Sequence, residues 1–111
     1  MANDWTGATS NDWFAAGNWN PGTVPTAGDS VTVNSNSPMP TIDGASAHAD
    51  TIVVGDSATA TLGILNTGTL SSNNAVLGNL VGSVGLTAVA GAGATWTNSA
   101  DLTIGNFGIG S

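Results

Sequence analysis

The sequence predicts an all-β fold, a parallel β-solenoid (β-helix) whose turns share one continuous core. Two observations carry this expectation. A short alternating apolar run followed by Gly and then Asp or Asn occurs three times, as Thr51-Ile52-Val53-Val54-Gly55-Asp56, Asn74-Ala75-Val76-Leu77-Gly78-Asn79 and Asp101-Leu102-Thr103-Ile104-Gly105-Asn106. A weaker copy lies upstream at Ser30-Val31-Thr32-Val33-Asn34-Ser35, so the repeats start near 31, 52, 75 and 102, at spacings of 21, 23 and 27 residues. Periods of this length, filled by short strands and turns, mark a stack of rungs that bury their apolar faces on one another. Second, the material between copies also repeats. Leu62 matches Leu86 and Leu70 matches Trp96, which makes about three short strands per turn, separated by Gly, Asn, Ser and Thr turns.

Taken in order, residues 1–30 form an N-terminal cap and residues 31–111 the rungs. The cap segment holds Trp5, Trp13, Phe14 and Trp19, together with Pro21 and Pro25. The prolines favour turns and extended chain over helix. A solenoid's first rung exposes an apolar cross-section, and bulky aromatics with one polar edge suit the task of covering it. Val31 and Val33 open the first rung. Pro38-Met39-Pro40 interrupts ladder pairing and reads as a corner, with Thr41-Ile42 a short second strand. Ile52/Val54, Ala75/Leu77 and Leu102/Ile104 continue the inward column begun by Val31/Val33. Gly55, Gly78 and Gly105 fall at corners that need positive φ or close backbone approach. Asp56, Asn79 and Asn106 then stack as a side-chain column along the axis. Gly91 and Gly93 enlarge the loop at 90–94, which accounts for the longest spacing. The chain stops part-way round a turn, and Leu102, Ile104, Phe107 and Ile109 are expected to leave an uncapped rung with unpaired strand edges.

Composition narrows the function. The chain has 111 residues, no Lys or Arg, seven Asp and a formal charge of −7. Without a cation to neutralise phosphates, nucleic acid is excluded as a partner. The charge likewise opposes an anionic membrane surface. No run is long enough for a transmembrane span. There is no Cys, hence no disulfide and no thiolate metal site. The start, Met1-Ala2-Asn3-Asp4, lacks the basic and apolar segments of a signal peptide; an exported protein would have lost its leader.

Chemistry-bearing residues are sparse. His48 is the single His and has no partner set that spacing would place beside it. The carboxylates Asp4, Asp12, Asp29, Asp43, Asp50, Asp56 and Asp101 form no pair that the repeat forces together, so no acid/base constellation is expected. No calcium loop pattern occurs. Neither a catalytic residue, a metal site nor a cofactor is assigned. Trp5, Trp13, Phe14 and Trp19 have two readings, a cap or a surface for stacking sugar rings.

The stretch from Trp19 to Val33, with Asn20-Pro21-Gly22-Thr23-Val24-Pro25 at its centre, resembles the opening of bacterial autotransporter-type passenger domains. The order Val54-Gly55-Asp56, Gly68-Thr69-Leu70, Leu77-Gly78-Asn79, Ala94-Thr95-Trp96-Thr97-Asn98-Ser99, Leu102-Thr103-Ile104-Gly105-Asn106 is similar to the repeat of type V secretion passengers and PEP-CTERM-associated surface proteins. That resemblance implies a right-handed β-helix, export from a Gram-negative cell, and a structural or adhesive role at the outer surface. It implies no catalytic residue. The chain departs from the family in lacking a leader, a translocator barrel and a long array of further repeats, and resembles the N-terminal piece of a longer passenger or a short relative that uses its ends differently. The expected function is therefore a non-enzymatic extracellular β-solenoid that stacks head to tail into fibres through its C-terminal rung, with a cell-surface or glycan partner. The alternative is a carbohydrate-binding module that uses the N-terminal Trp residues.

Overall fold

The computed structural model describes residues 2–35 and 38–111; Met1, Asn36 and Ser37 lie outside it. The chain is a β-solenoid of about four turns. Its strands, in order, are β1 (Ala2–Trp5), β2 (Trp19–Asn20), β3 (Ser30–Val33), β4 (Thr41–Asp43), β5 (Ser46–His48), β6 (Thr51–Val54), β7 (Thr59–Leu65), β8 (Thr69–Ser72), β9 (Asn74–Leu77), β10 (Val84–Ala90), β11 (Thr95–Asn98), β12 (Leu102–Ile104) and β13 (Ile109–Gly110). One 3₁₀ turn, Ala16–Asn18, precedes β2.

Three sheets line the three sides. The first runs β12-β9-β6-β3-β1-β2, the second β13-β10-β7-β4 and the third β11-β8-β5. Among the described residues, every pairing between rungs is parallel, and β2 alone runs antiparallel, against β1. Such short strands are not stable alone, and each depends on its counterpart in the next turn.

The inward column of the first sheet has the register expected from the repeat. Val31 pairs with Ile52, Ile52 with Ala75 and Ala75 with Leu102, while Val33, Val54, Leu77 and Ile104 stack beside them. Residues Val31 to Leu77 of this column are buried together with Ile42, Ala60, Leu62, Ile64 and Leu70. Trp96 sits over Leu70, also as expected.

Three expectations need correction. Leu62 faces Thr87, not Leu86. Gly85 pairs with Ala60 and comes against the Val54 carbonyl, where a Cβ would collide. That contact sets the register one residue away from the sequence match, and a one-residue slip turns a side chain to the other face. Leu86 is accordingly exposed. The longest spacing is also not one enlarged loop. Paired residues are 23 apart between β6 and β9, 25 between β7 and β10, 26 between β8 and β11, and 27 between β9 and β12. The extra residues enter at successive corners, only one of them at 91–94. Finally, residue 30 is no boundary within the sheet. β1, inside the expected cap, pairs in parallel with β3 as a rung strand.

Gly78 illustrates how tightly turns meet. Its φ is +73° and a Cβ there would strike the Ile109 carbonyl of the next turn. Gly78→Ala should cost about 3 kcal/mol or more, from left-handed strain plus overpacking. Urea unfolding of the variant checks this; a loss under about 1 kcal/mol would mean the corner is softer than its packing implies.

Candidate functional site

The corner column expected from the repeat is present. Gly55, Gly78 and Gly105 have φ of 76°, 73° and 76°. The Asn79 side-chain amide donates to Asp56 Oδ1 at 2.8 Å, and that of Asn106 donates to Asn79 Oδ1 at 3.1 Å. Below them, Asn34 Oδ1 accepts the backbone N–H groups of Asp56, Ser57 and Ala58 at 2.9, 2.9 and 3.0 Å.

Two further columns occupy the other corners. Asn66 donates to Asp43 Oδ1 at 3.0 Å, and Asn73 donates to Asp50 Oδ1 at 2.7 Å. The Ser99 hydroxyl extends the latter by donating to Asn73 Oδ1. In all three columns the Asn lies 23 residues after its Asp. An ionised carboxylate only accepts hydrogen bonds. Each Asp therefore orients the Asn above it, with NH₂ toward the N-terminal end and Oδ1 toward the C-terminal end. Only the first column was legible in the sequence, because the other two lack the preceding Gly. The repeated 23-residue Asp-to-Asn offset was the available signal.

The aromatic cluster closes the N-terminal end. Trp5, Trp13 and Trp19 are exposed by only 6%, 0% and 3%. Trp19 meets Trp5 and Trp13 edge-to-face, with ring centroids 5.2 and 4.7 Å apart. Trp5 Nε1 donates to the Pro38 carbonyl and Trp19 Nε1 to that of Trp13, at 2.9 and 2.8 Å. Phe14 packs half-buried against the same core. Of the two readings of these Trp residues, the burial fits the cap: their faces are spent on the core and on one another. Sequence reasoning also missed Asn18, which is buried and ties the loop together. Its Oδ1 accepts the N–H groups of Thr9 and Ser10, both at 2.8 Å, while Nδ2 donates to Ser10 Oγ and the Asp12 carbonyl.

The remaining candidates lie apart. His48 lines a shallow hollow of about 170 Å³ with Ala27, Ser71 and Thr97. A second hollow contains Asp12 and Asp43, but the Phe14 N–H donates to the former and Asn66 to the latter. Among the described residues, no group of three or more His, Cys, Asp or Glu is placed to hold a metal ion. Among the described residues, no helix is long and apolar enough to cross a membrane. Asp29 accepts the Thr26 N–H at 2.8 Å, and this bond holds its pKa below the ordinary 3.8.

The C-terminal end differs from the N-terminal one. β11, β12 and β13 each end their sheet. Leu102, Ile104, Phe107 and Ile109 are 45%, 56%, 70% and 65% exposed, and Val89, above buried Ile64, is 47% exposed. These are the residues expected to form an assembly end, and the structure brings them to one end of the stack.

A family model described as a domain of unknown function (DUF8693) matches residues 4–91. The chain belongs to this family. The DUF8693 match takes in the Trp cluster, the Asp–Asn pairs and the strands from β2 to β10 entire. No curated protein and no solved structure matches the chain significantly.

The Asp56–Asn79 bond should be visible as coupling. In a double-mutant cycle with Asp56→Ala and Asn79→Ala, about 1 kcal/mol of interaction energy is expected in urea unfolding; additive losses would contradict the bond. The Asp29 bond has a pH signature. Because the folded pKa is depressed, its contribution is complete above the unfolded value of 3.8 and is lost as pH falls through the lower folded value. Asp29→Asn should therefore flatten the fall in melting temperature below about pH 4. Parallel acid limbs for the two proteins would contradict this.

Proposed function

We propose that this chain is a non-enzymatic structural or adhesive β-solenoid of a bacterial surface protein, of the autotransporter or PEP-CTERM-associated kind. It works outside the cell, and its C-terminal rung is the surface through which copies join end to end. The observation that carries this reading is the difference between the two ends. One is covered by an antiparallel strand and three buried Trp rings, while the other presents Leu102, Ile104, Phe107 and Ile109 to solvent. Contiguous exposed apolar area beside unpaired strand edges is what a protein–protein contact uses.

The non-enzymatic part is supported by what the carboxylates do. Asp43, Asp50 and Asp56 are engaged in the corner columns, and Asp12 and Asp29 in turns. The surface role is supported by the resemblance of the repeat and by a surface that is acidic and without cations.

Size-exclusion chromatography with light scattering over a concentration series tests the reading. The apparent mass should climb from 10.8 kDa as concentration rises. Ile104→Asp, at an exposed position, should hold it at the monomer value with an unchanged circular dichroism spectrum. A parent protein that stays monomeric from micromolar to millimolar concentration would remove assembly from the function.

A further inference from the structure

We propose that the hollow beside His48, on the outer face of the third sheet, holds a neutral, extended β-1,4-linked glycan with successive sugars along the solenoid axis. The proposal deepens the adhesive reading, on which it rests, by naming the partner and the surface that takes it.

The hollow has a volume of about 170 Å³ and lies where the third sheet turns toward the first. It is lateral, built from β5, β8, β11 and the corners that follow them. The register brings three polar side chains into one line: His48 pairs with Ser71, and Ser71 with Thr97. All three point outward, since their strand neighbours Ala47 and Leu70 are buried in the core and side chains alternate along a strand.

Hydrogen bonding separates this line from its surroundings. The other outward line of the same sheet is engaged internally, with the Thr69 hydroxyl donating to Ser46 Oγ at 3.0 Å. Ser72, buried beneath the hollow, donates to Asn98 Oδ1 at 2.6 Å and accepts from Trp96 Nε1 at 3.0 Å. Asn73 and Ser99 are held in the corner column that starts at Asp50. Among the described residues, the His48 ring and the Ser71 and Thr97 hydroxyls make no hydrogen bond to another protein group. The hollow thus combines the methyl groups of Ala27 and Ala49, a fixed polar rim at Asn73 and Ser99, and a rim of unengaged donors and acceptors.

That division matches a sugar ring, whose carbon-bound hydrogens form an apolar face and whose hydroxyls surround it. The volume is below the roughly 300 Å³ at which pockets for drug-sized ligands begin, which suits sugars taken one ring at a time. Successive rungs are about 4.8 Å apart, and an extended β-1,4-linked chain advances by nearly the same distance per sugar. His48, Ser71 and Thr97 then each meet the hydroxyls of one sugar. Imidazole and hydroxyl groups both donate and accept, as sugar hydroxyls require. Charge narrows the class further. The protein carries −7 without a cation, and Asp50 anchors the Asn73 rim, so acidic glycans are repelled.

The single His makes the test direct. In ¹⁵N-labelled protein, titration with cellohexaose should move the His48 ring signals together with the Ser71 and Thr97 amide signals. Signals of Asn3 and Asn18, buried at the N-terminal end, should stay in place. Maltohexaose, whose α-links coil the chain, and a β-1,4-linked hexaglucuronate should each bind about tenfold more weakly, a difference of about 1.4 kcal/mol. Ser71→Ala and Thr97→Val, both at exposed positions, should each weaken cellohexaose binding about fivefold, as one lost hydrogen bond does. His48, Ser71 and Thr97 signals that stay fixed throughout the titration, shifts that map elsewhere, or equal affinity for the acidic chain would overturn the proposal. The assembly reading stands or falls separately: a protein that associates in light scattering yet leaves these signals fixed loses the glycan site and keeps its assembly surface.

Discussion

In-register parallel pairing between successive turns is the constraint on which everything else here depends. Among the described residues, no strand exceeds seven residues, and none has a sheet partner nearby in sequence except where β1 meets β2. Each rung finds its hydrogen bonds and its apolar neighbours one full turn away. Burial and backbone pairing are therefore satisfied together or not at all. The close approach of Gly85 to the Val54 carbonyl and of Gly78 to that of Ile109 shows how the turns are drawn together. Where the main chains come this near, a side chain has no room, and glycine is the structural requirement.

A chain without cations must satisfy its carboxylates in another way. Here the donors are amides. Asp43, Asp50 and Asp56 each accept from an Asn one turn later, Asp29 from the Thr26 N–H and Asp12 from that of Phe14. This gives the stack a polarity beyond that of its backbone. With acceptor-only groups low in the columns, the Asn amides point one way, and register errors between turns would break all three corners at once.

The two ends of the stack follow different solutions to one problem. A solenoid leaves an apolar cross-section and open strand edges at each terminus. At the N-terminal end, β2 pairs across β1, Asn11 to Trp13 bond to Thr41, and three indoles fill the cross-section, with Asn18 holding the intervening loop. At the other end, β12 and β13 carry their apolar side chains into solvent. The functional reading grows from that contrast, since a closed end limits assembly to one face.

The sequence by itself determined the rungs. The inward pairs from Val31/Val33 to Leu102/Ile104, the corner glycines and the Asp56–Asn79–Asn106 column all follow from strand alternation and local φ preference, which act over a few residues. The inward Leu102/Ile104 pair was legible for the same reason, as a further copy of the repeat. Only the tertiary structure decided the rest. Thr87 rather than Leu86 lies over Leu62 because Gly85 is pinned against another turn. The Trp5 and Trp19 rings are interior with their N–H groups received by the Pro38 and Trp13 carbonyls, distant or across a loop. Asp43 and Asp50 joined the corner columns through Asn residues 23 positions away. Each of these depends on which backbone lies one turn up or down, and spacings that drift from 21 to 27 residues leave that to packing and hydrogen bonding between turns.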